Sequence, residues 1–322
     1  MSEFLEGLVI RRSASEVRVD TGAAVLSCVL RGKMRRTIPC VAGDRVLVAP
    51  TGPGTGVLED VLPRRTELRR GKGSAGEEGL VLAANLDLVG VMIAFHPAPP
   101  RWALADRLLV EASRQGIDAF VLVNKADLAP ALGPQRNALD EALQVYRGLG
   151  LRVIPCSAVT GEGLSDVEEV LRGRITVLSG HSGVGKTTLV NRILPDLDLA
   201  VGDVNPTTGK GRHTTTFAAI YRLPQGGWIA DTPGFREFAL AGLSPQDLGR
   251  HYGDFLDAIS RCRFRDCLHS IEPGCAVKAA VGSGGISKLR YQNYLQILEG
   301  LVEKGDGKPF RKFRKAAPPT AS

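Results

Sequence analysis

Gly180-His181-Ser182-Gly183-Val184-Gly185-Lys186-Thr187 decides the fold. A glycine, four free positions, Gly-Lys and a hydroxyl residue form the phosphate-loop pattern. The apolar stretch 175–179 runs directly into it, and a helix opens at its end, carries Thr188, and stops before Pro195. Glycines let the backbone curl so that successive N–H groups face phosphate oxygens at a helix N-terminus, where the helix dipole also favours an anion. Lys186 is then placed to reach the β and γ phosphates, and the Thr187 hydroxyl to meet Mg²⁺. A strand-to-helix turn that binds nothing is the alternative, and the strand before and helix after count against it. The loop alone does not choose between ATP and GTP.

That choice falls to Asn124-Lys125-Ala126-Asp127, at the end of an apolar strand over 119–123. A carboxylate at Asp127 can accept from both N1–H and the 2-amino group of guanine, whereas adenine leaves it unpaired. Asn124 supports the loop and the ring edge, and Lys125 lies along the base plane. Cys156-Ser157-Ala158 ends another strand and resembles the GTPase segment whose backbone N–H meets guanine O6. Asp231-Thr232-Pro233-Gly234 resembles the motif in which the Asp holds Mg²⁺ through water and the Gly N–H senses the γ-phosphate. Between them, 211–216 has the place of a switch segment, with Thr215 as the Mg²⁺-sensing threonine and Thr214 as its alternative. The residue after Gly234 is Phe235, where Ras-like enzymes carry a water-orienting Gln. His213 is the candidate to replace it, so slow intrinsic turnover with stimulation by a partner is expected. The catalytic set is therefore His213, Lys186 and Thr215, and the magnesium set Thr187, Thr215 and Asp231.

The guanine motif precedes the phosphate loop, the reverse of the ordinary order, so the domain is circularly permuted. Chain ends of a domain lie close together, and one sheet can form from different cut points. The segment following Gly234 then leads straight into the C-terminal domain, which nucleotide state is expected to move.

Around this α/β domain, expected over 80–240, the texture changes. Residues 1–68 alternate short apolar runs with turns, the pattern of a small β-barrel. Residues 69–79 are rich in glycine and read as a flexible linker. Within the α/β domain, strands at 88–95, 119–123, 152–156 and 175–179 alternate with helices at 102–117 and 164–172. From 241 to 322 the rhythm gives way to Cys262, Cys267, His269 and Cys275, a helix over 286–302, and a basic tail. Three thiolates and an imidazole make a donor set of the right count and softness for one structural Zn²⁺.

With 41 Lys and Arg against 34 Asp and Glu, the net charge is +7, and aromatic residues make up only 5%. That balance favours a polyanionic partner over an aromatic stacking platform. The basic run Arg31, Lys33, Arg35 and Arg36 falls where a barrel places a loop. No basic start with an apolar stretch and no run of membrane-spanning length occurs, so the expected location is the cytoplasm, with no membrane partner.

The barrel, the permuted motif order and the Cys/His knuckle together resemble the ribosome small-subunit-dependent GTPases, the RsgA or YjeQ family, over nearly the whole chain. The resemblance implies a permuted P-loop GTPase domain between an N-terminal OB-fold barrel and a C-terminal, mainly helical zinc domain. It further implies GTP and GDP as ligands, binding to the 30S subunit late in its maturation, contact with 16S rRNA, and hydrolysis stimulated by the subunit. One copy of each motif suggests a monomer. The competing readings are a GTP-gated RNA-binding module with incidental hydrolysis, the GTPase partner of an RNA-modifying enzyme, and an ATP-using kinase.

Overall fold

The computed structural model describes residues 4–13, 16–30, 40–70, 80–94, 100–133, 135–197, 218–231, 240 and 242–306. The N-terminal alternation becomes strands β1 (Leu5–Arg12), β2 (Val17–Asp20), β3 (Val25–Leu30), β4 (Arg45–Gly52) and β5 (Thr55–Val61). They pair in the order β1-β2-β3-β5-β4, and β1 also pairs with β4, which closes the barrel. β3 and β5 run parallel and the other pairs antiparallel. Successive side chains point to opposite faces of a strand, so Val17 and Val19, Leu26 and Cys28, and Val46 and Val48 all enter the barrel core. This is the OB-like topology. The basic run at 31–36 lies outside the described residues.

Arg69 and Arg70, expected in a linker, are instead strand residues. β6 (Glu67–Arg70) pairs antiparallel with β7 (Leu80–Ala84), while 71–79 lie outside the described residues. Pairing across such a separation has no local signal. This hairpin also ties the barrel to the next domain. Ala83 bridges Ala42, and Asn85 donates to Gly43 O (2.9 Å) and accepts from Arg65 N (2.8 Å). Beside it Arg64 pairs with the fully buried Asp44 at 2.7 Å.

The α/β domain contributes β8 (Leu88–Ala94), β9 (Asp118–Asn124), β10 (Val153–Pro155), β11 (Ile175–Gly180), β12 (Ala219–Arg222) and β13 (Trp228–Asp231). Their order is β10-β9-β8-β11-β13-β12. All neighbours are parallel except β12 and β13. Every residue of β8 is buried, as a parallel strand covered on both faces requires. Val89, Val91 and Ile93 enter one core and Leu88, Met92 and Ala94 the other. The helices are α1 (Trp102–Arg114), α2 (Gln135–Gly148), α3 (Leu164–Leu171) and α4 (Lys186–Ile193). The helix α2 is absent from the sequence reading, although Leu139, Leu143 and Tyr146 recur at helical spacing and are buried. β12 meets β1 of the barrel at Ala219 and Arg11, so barrel and sheet form one continuous surface.

The C-terminal domain holds α5 (Leu256–Ile259), α6 (Ala276–Gly282) and α7 (Lys288–Asp306) around Tyr252, Phe255 and Tyr294. The tail from 307 onward lies outside the described residues. Helix α1 joins this domain to the sheet. Ala105, Leu108 and Ala112 pack toward the sheet, while Val110 belongs to the C-terminal core. Asp106 is fully buried and accepts from Arg290 (2.5 Å), Tyr146 (2.8 Å) and Asn293 (2.9 Å). Arg290 also pairs with Asp254 at 3.1 Å and lies 4.2 Å from the Tyr252 ring centroid. Burial pushes the Asp106 carboxyl up, against the pull of Arg290 and its other donors. Removing one partner of a buried pair strands the other charge, which costs about 3–5 kcal/mol. Arg290→Ala is therefore expected to lower stability by about that amount in urea denaturation; an unchanged midpoint would contradict an interface held by this network.

Candidate functional site

Gly180 ends β11, and the loop 181–185 turns into α4 at Lys186. Gly185 is the helix cap, at φ 91°. A side chain there would both strain the backbone and run into the Asn124 carboxamide. The phosphate loop and the Asn-Lys-Ala-Asp segment therefore touch, although 60 residues separate Asn124 from Val184. Asn124 is 2% exposed. Its Nδ2 donates to Val184 O at 2.7 Å, and its Oδ1 accepts from Ala158 N at 3.1 Å. One buried amide thus joins three sequence motifs. Within the Cys156 to Ala158 segment, expected to offer a backbone N–H to guanine O6, the Ala158 N–H is engaged by this oxygen. Burial pushes the neighbouring Cys156 thiol up to about 12, so it is neutral and its Sγ lies 3.9 Å from Asn124 Oδ1.

Lys125 takes a left-handed conformation, φ 64°, at the start of a 3₁₀ turn over Ala126–Leu132. This turn carries Asp127. Asp127 Oδ1 is a buried acceptor with no hydrogen-bond partner. An orphaned carboxylate oxygen is costly to desolvate, and a ligand bearing N–H donors would satisfy it. Ser157 is buried, with its N donating to Glu162 O at 2.9 Å and its Oγ accepting from Thr160 N at 3.1 Å. Lys186 Nζ donates to Gly180 O (2.6 Å) and His181 O (2.9 Å), spanning the loop. Thr187 and Thr188 are half-buried in the first turn of α4.

Asp231 closes β13, the parallel neighbour of β11, so its backbone stands at the same carboxyl edge as the phosphate loop. Ligands of open α/β sheets bind along this edge. His213, Thr214, Thr215, Gly234 and Phe235 lie outside the described residues. A cavity of about 180 Å³ borders the loop, with Met92, Arg101, Leu104, His181 and Gly183 in its walls. Arg101 lines this cavity from the cap position just before α1, a place that carries no motif signal in the sequence.

In the C-terminal domain the donor atoms of Cys262, Cys267, His269 and Cys275 all lie within 4.8 Å of one another. His269 Nδ1 stands 3.5 Å from Cys262 Sγ and 3.6 Å from Cys275 Sγ. Tetrahedral angles with metal–sulfur bonds of about 2.3 Å and metal–nitrogen bonds of about 2.0 Å set nitrogen and sulfur roughly 3.5 Å apart. The geometry fits a closed four-donor metal site with Nδ1 as the nitrogen ligand. His269 has φ 55°, a conformation that needs outside support. Tyr291 Oη donates to His269 O (2.8 Å) and Tyr294 Oη to Leu268 O (2.9 Å). Glu272 accepts from Leu268 N and Ser270 N, each at 2.9 Å. These supporting residues carry no spacing signal and were not expected.

The family model described as RsgA GTPase matches residues 61–241. The small ribosomal subunit biogenesis GTPase RsgA of Moorella thermoacetica is 38% identical over 301 residues, covering 93% of this chain and 98% of that protein. Its namesake from Pseudomonas syringae pv. syringae is 43% identical over 305 residues, covering 92% and 86%. Among solved structures, YjeQ from Thermotoga maritima superposes with a TM-score of 0.75 at 31% identity, covering 93% of this chain and 99% of that one. YloQ, a circularly permuted GTPase, gives 0.74 at 26% identity, covering 95% and 97%. With the phosphate loop, the displaced guanine motif and the barrel assembled as above, this chain belongs to the RsgA family of circularly permuted GTPases.

Proposed function

We propose that this GTPase acts in biogenesis of the small ribosomal subunit, as its relatives are named for doing, and that the subunit stimulates its hydrolysis of GTP. The observation that carries the guanine site is Asn124 holding Val184 and Ala158 together beside the unpaired Asp127 Oδ1. Asp127 accepts from the guanine N1–H and 2-amino group. Gly180 to Thr188 wrap the phosphates, and Lys186 exchanges its loop carbonyls for the β and γ phosphate oxygens. Mg²⁺ neutralises charge on the phosphates when bound, with Thr187, Thr215 and Asp231 as its protein side. His213 orients the attacking water in place of the absent Gln. The basic surface, net +7 overall, faces 16S rRNA, and the protein works as a cytoplasmic monomer. The competing module with incidental hydrolysis predicts no stimulation.

Sedimentation with purified ribosomal particles and a non-hydrolysable GTP analogue should recover the protein with small subunits, and multiple-turnover hydrolysis should rise when they are added. Recovery with large subunits alone would overturn the assignment. His213→Ala should lower the stimulated kcat by about 10²-fold or more and leave GDP affinity within a factor of about two; an unchanged stimulated rate removes His213 from catalysis.

The metal of the Cys/His site is Zn²⁺, since three thiolates and an imidazole suit a soft tetrahedral ion and leave no position open for a reacting water. Mass spectrometry of metal content should give one zinc per chain. Cys267→Ser should lose it and expose the C-terminal domain to proteolysis while GDP still binds; full folding without metal would contradict a structural role.

A further inference from the structure

In Arg261-Cys262-Arg263-Phe264-Arg265 the cluster residue Cys262 is flanked by four side chains that are neither metal donors nor part of the nucleotide motifs. Arg261, Arg263, Phe264 and Arg265 are all exposed, Phe264 by 40%. Among the described residues no carboxylate forms an ion pair with any of these three arginines, although surface arginines elsewhere, such as Arg152 with Glu169, are paired. The Arg263 guanidinium lies 5.4 Å from the Phe264 ring centroid. That pair is fixed from beneath. Arg263 N donates to Gly274 O at 3.3 Å, and its aliphatic stem runs over Gly274, where an added Cβ would sit 3.3 Å from Arg263 Cβ. Cys262 and Cys267, both in the donor cluster, hold the two ends of the segment. The result is an exposed aromatic ring with one arginine against it and two more exposed arginines beside it in the chain.

An acidic protein would need the cations but has no use for the flat ring, and an RNA duplex has its base faces already stacked. An unpaired nucleotide uses both, stacking its base on an aromatic or guanidinium plane while its phosphates meet arginine. The chain's low aromatic content argues against an extended stacking platform, and one ring among three arginines is enough for a single base. We propose that this rim of the metal cluster grips one unpaired RNA nucleotide, with the base on Phe264 and the flanking phosphates at Arg261 and Arg265. The inference rests on the ribosomal reading above and names the kind of RNA element that the C-terminal domain would contact.

The test uses the full-length protein with an RNA hairpin carrying 2-aminopurine in its single-stranded loop, and a loop-free duplex of the same stem as control. Wild type should bind the hairpin more tightly than the duplex and quench the probe. Phe264→Leu, which keeps an apolar side chain but no ring, should weaken hairpin binding about ten-fold and lose the quench, while Phe264→Trp restores both. Arg261→Ala and Arg265→Ala should each reduce the slope of log affinity against log salt by about 0.7. Unchanged zinc content and melting temperature in all four variants separate these effects from folding. Phe264→Leu binding like wild type would overturn the proposal, as would equal affinity for the duplex or equally strong competition by polyglutamate. If wild type cosediments with small subunits and Phe264→Leu still fails to differ, this inference falls alone. If wild type does not cosediment, the ribosomal reading falls with it.

Discussion

The carboxamide of Asn124 is the joint on which the site depends. Its amide nitrogen holds Val184 in the phosphate loop and its oxygen holds Ala158. These segments come from three different strand ends: backbone bonds of Cys156 to Val123 and Ala126 already align two of them, and the carboxamide adds the link to the phosphate loop. Because the amide is buried, losing either hydrogen bond would leave a polar group unpaired, so the geometry is held more firmly than a solvent-exposed contact would hold it. Gly185 is part of the same arrangement, since any side chain there would occupy the place of the amide.

Permutation changes what this joint is connected to. The sheet order is independent of where the chain is cut, but the flanking domains attach at new points. The barrel meets β12 through β1 and reaches β7 and Asn85 through its exit hairpin. Asp87, just beyond, accepts from Ile175 N at 2.8 Å at the foot of the phosphate-loop strand. On the other side, the buried Asp106–Arg290 pair, with the partly buried Asp254 beside it, fastens the C-terminal domain to α1. The nucleotide-driven movement expected from the chain path would have to carry α1 along or break buried charge pairs. The cavity between α1 and the phosphate loop, with Arg101 and His181 in its walls, lies where the two could influence each other.

Much of this was readable in the sequence because motif chemistry is local. The phosphate loop, the Asn124 to Asp127 segment and the Cys/His cluster declare themselves by residue type at fixed offsets, and the α/β rhythm by apolar runs. What escaped depends on non-local contact. The β6–β7 hairpin pairs across 71–79, so a glycine-rich stretch concealed two strand residues, Arg69 and Arg70. Asp106 looks like an ordinary helix carboxylate until Arg290, 184 residues away, arrives beside it. Glu272, Tyr291 and Tyr294 support the metal loop from positions whose spacing means nothing in one dimension. The helix α2 was a different kind of omission, since its apolar period was present and went unread.

The most direct test of the central claim, a guanine site assembled from permuted pieces, is nucleotide competition with wild type and Asp127→Asn. A carboxylate at this position accepts two N–H donors from guanine, whereas an amide can donate to the 2-oxo group of xanthine. Wild type should prefer GDP to both ADP and xanthosine diphosphate by several powers of ten. Asp127→Asn should lose GDP and gain xanthosine diphosphate. Equal binding of ADP and GDP by wild type, or a GDP preference untouched by the substitution, would contradict the account.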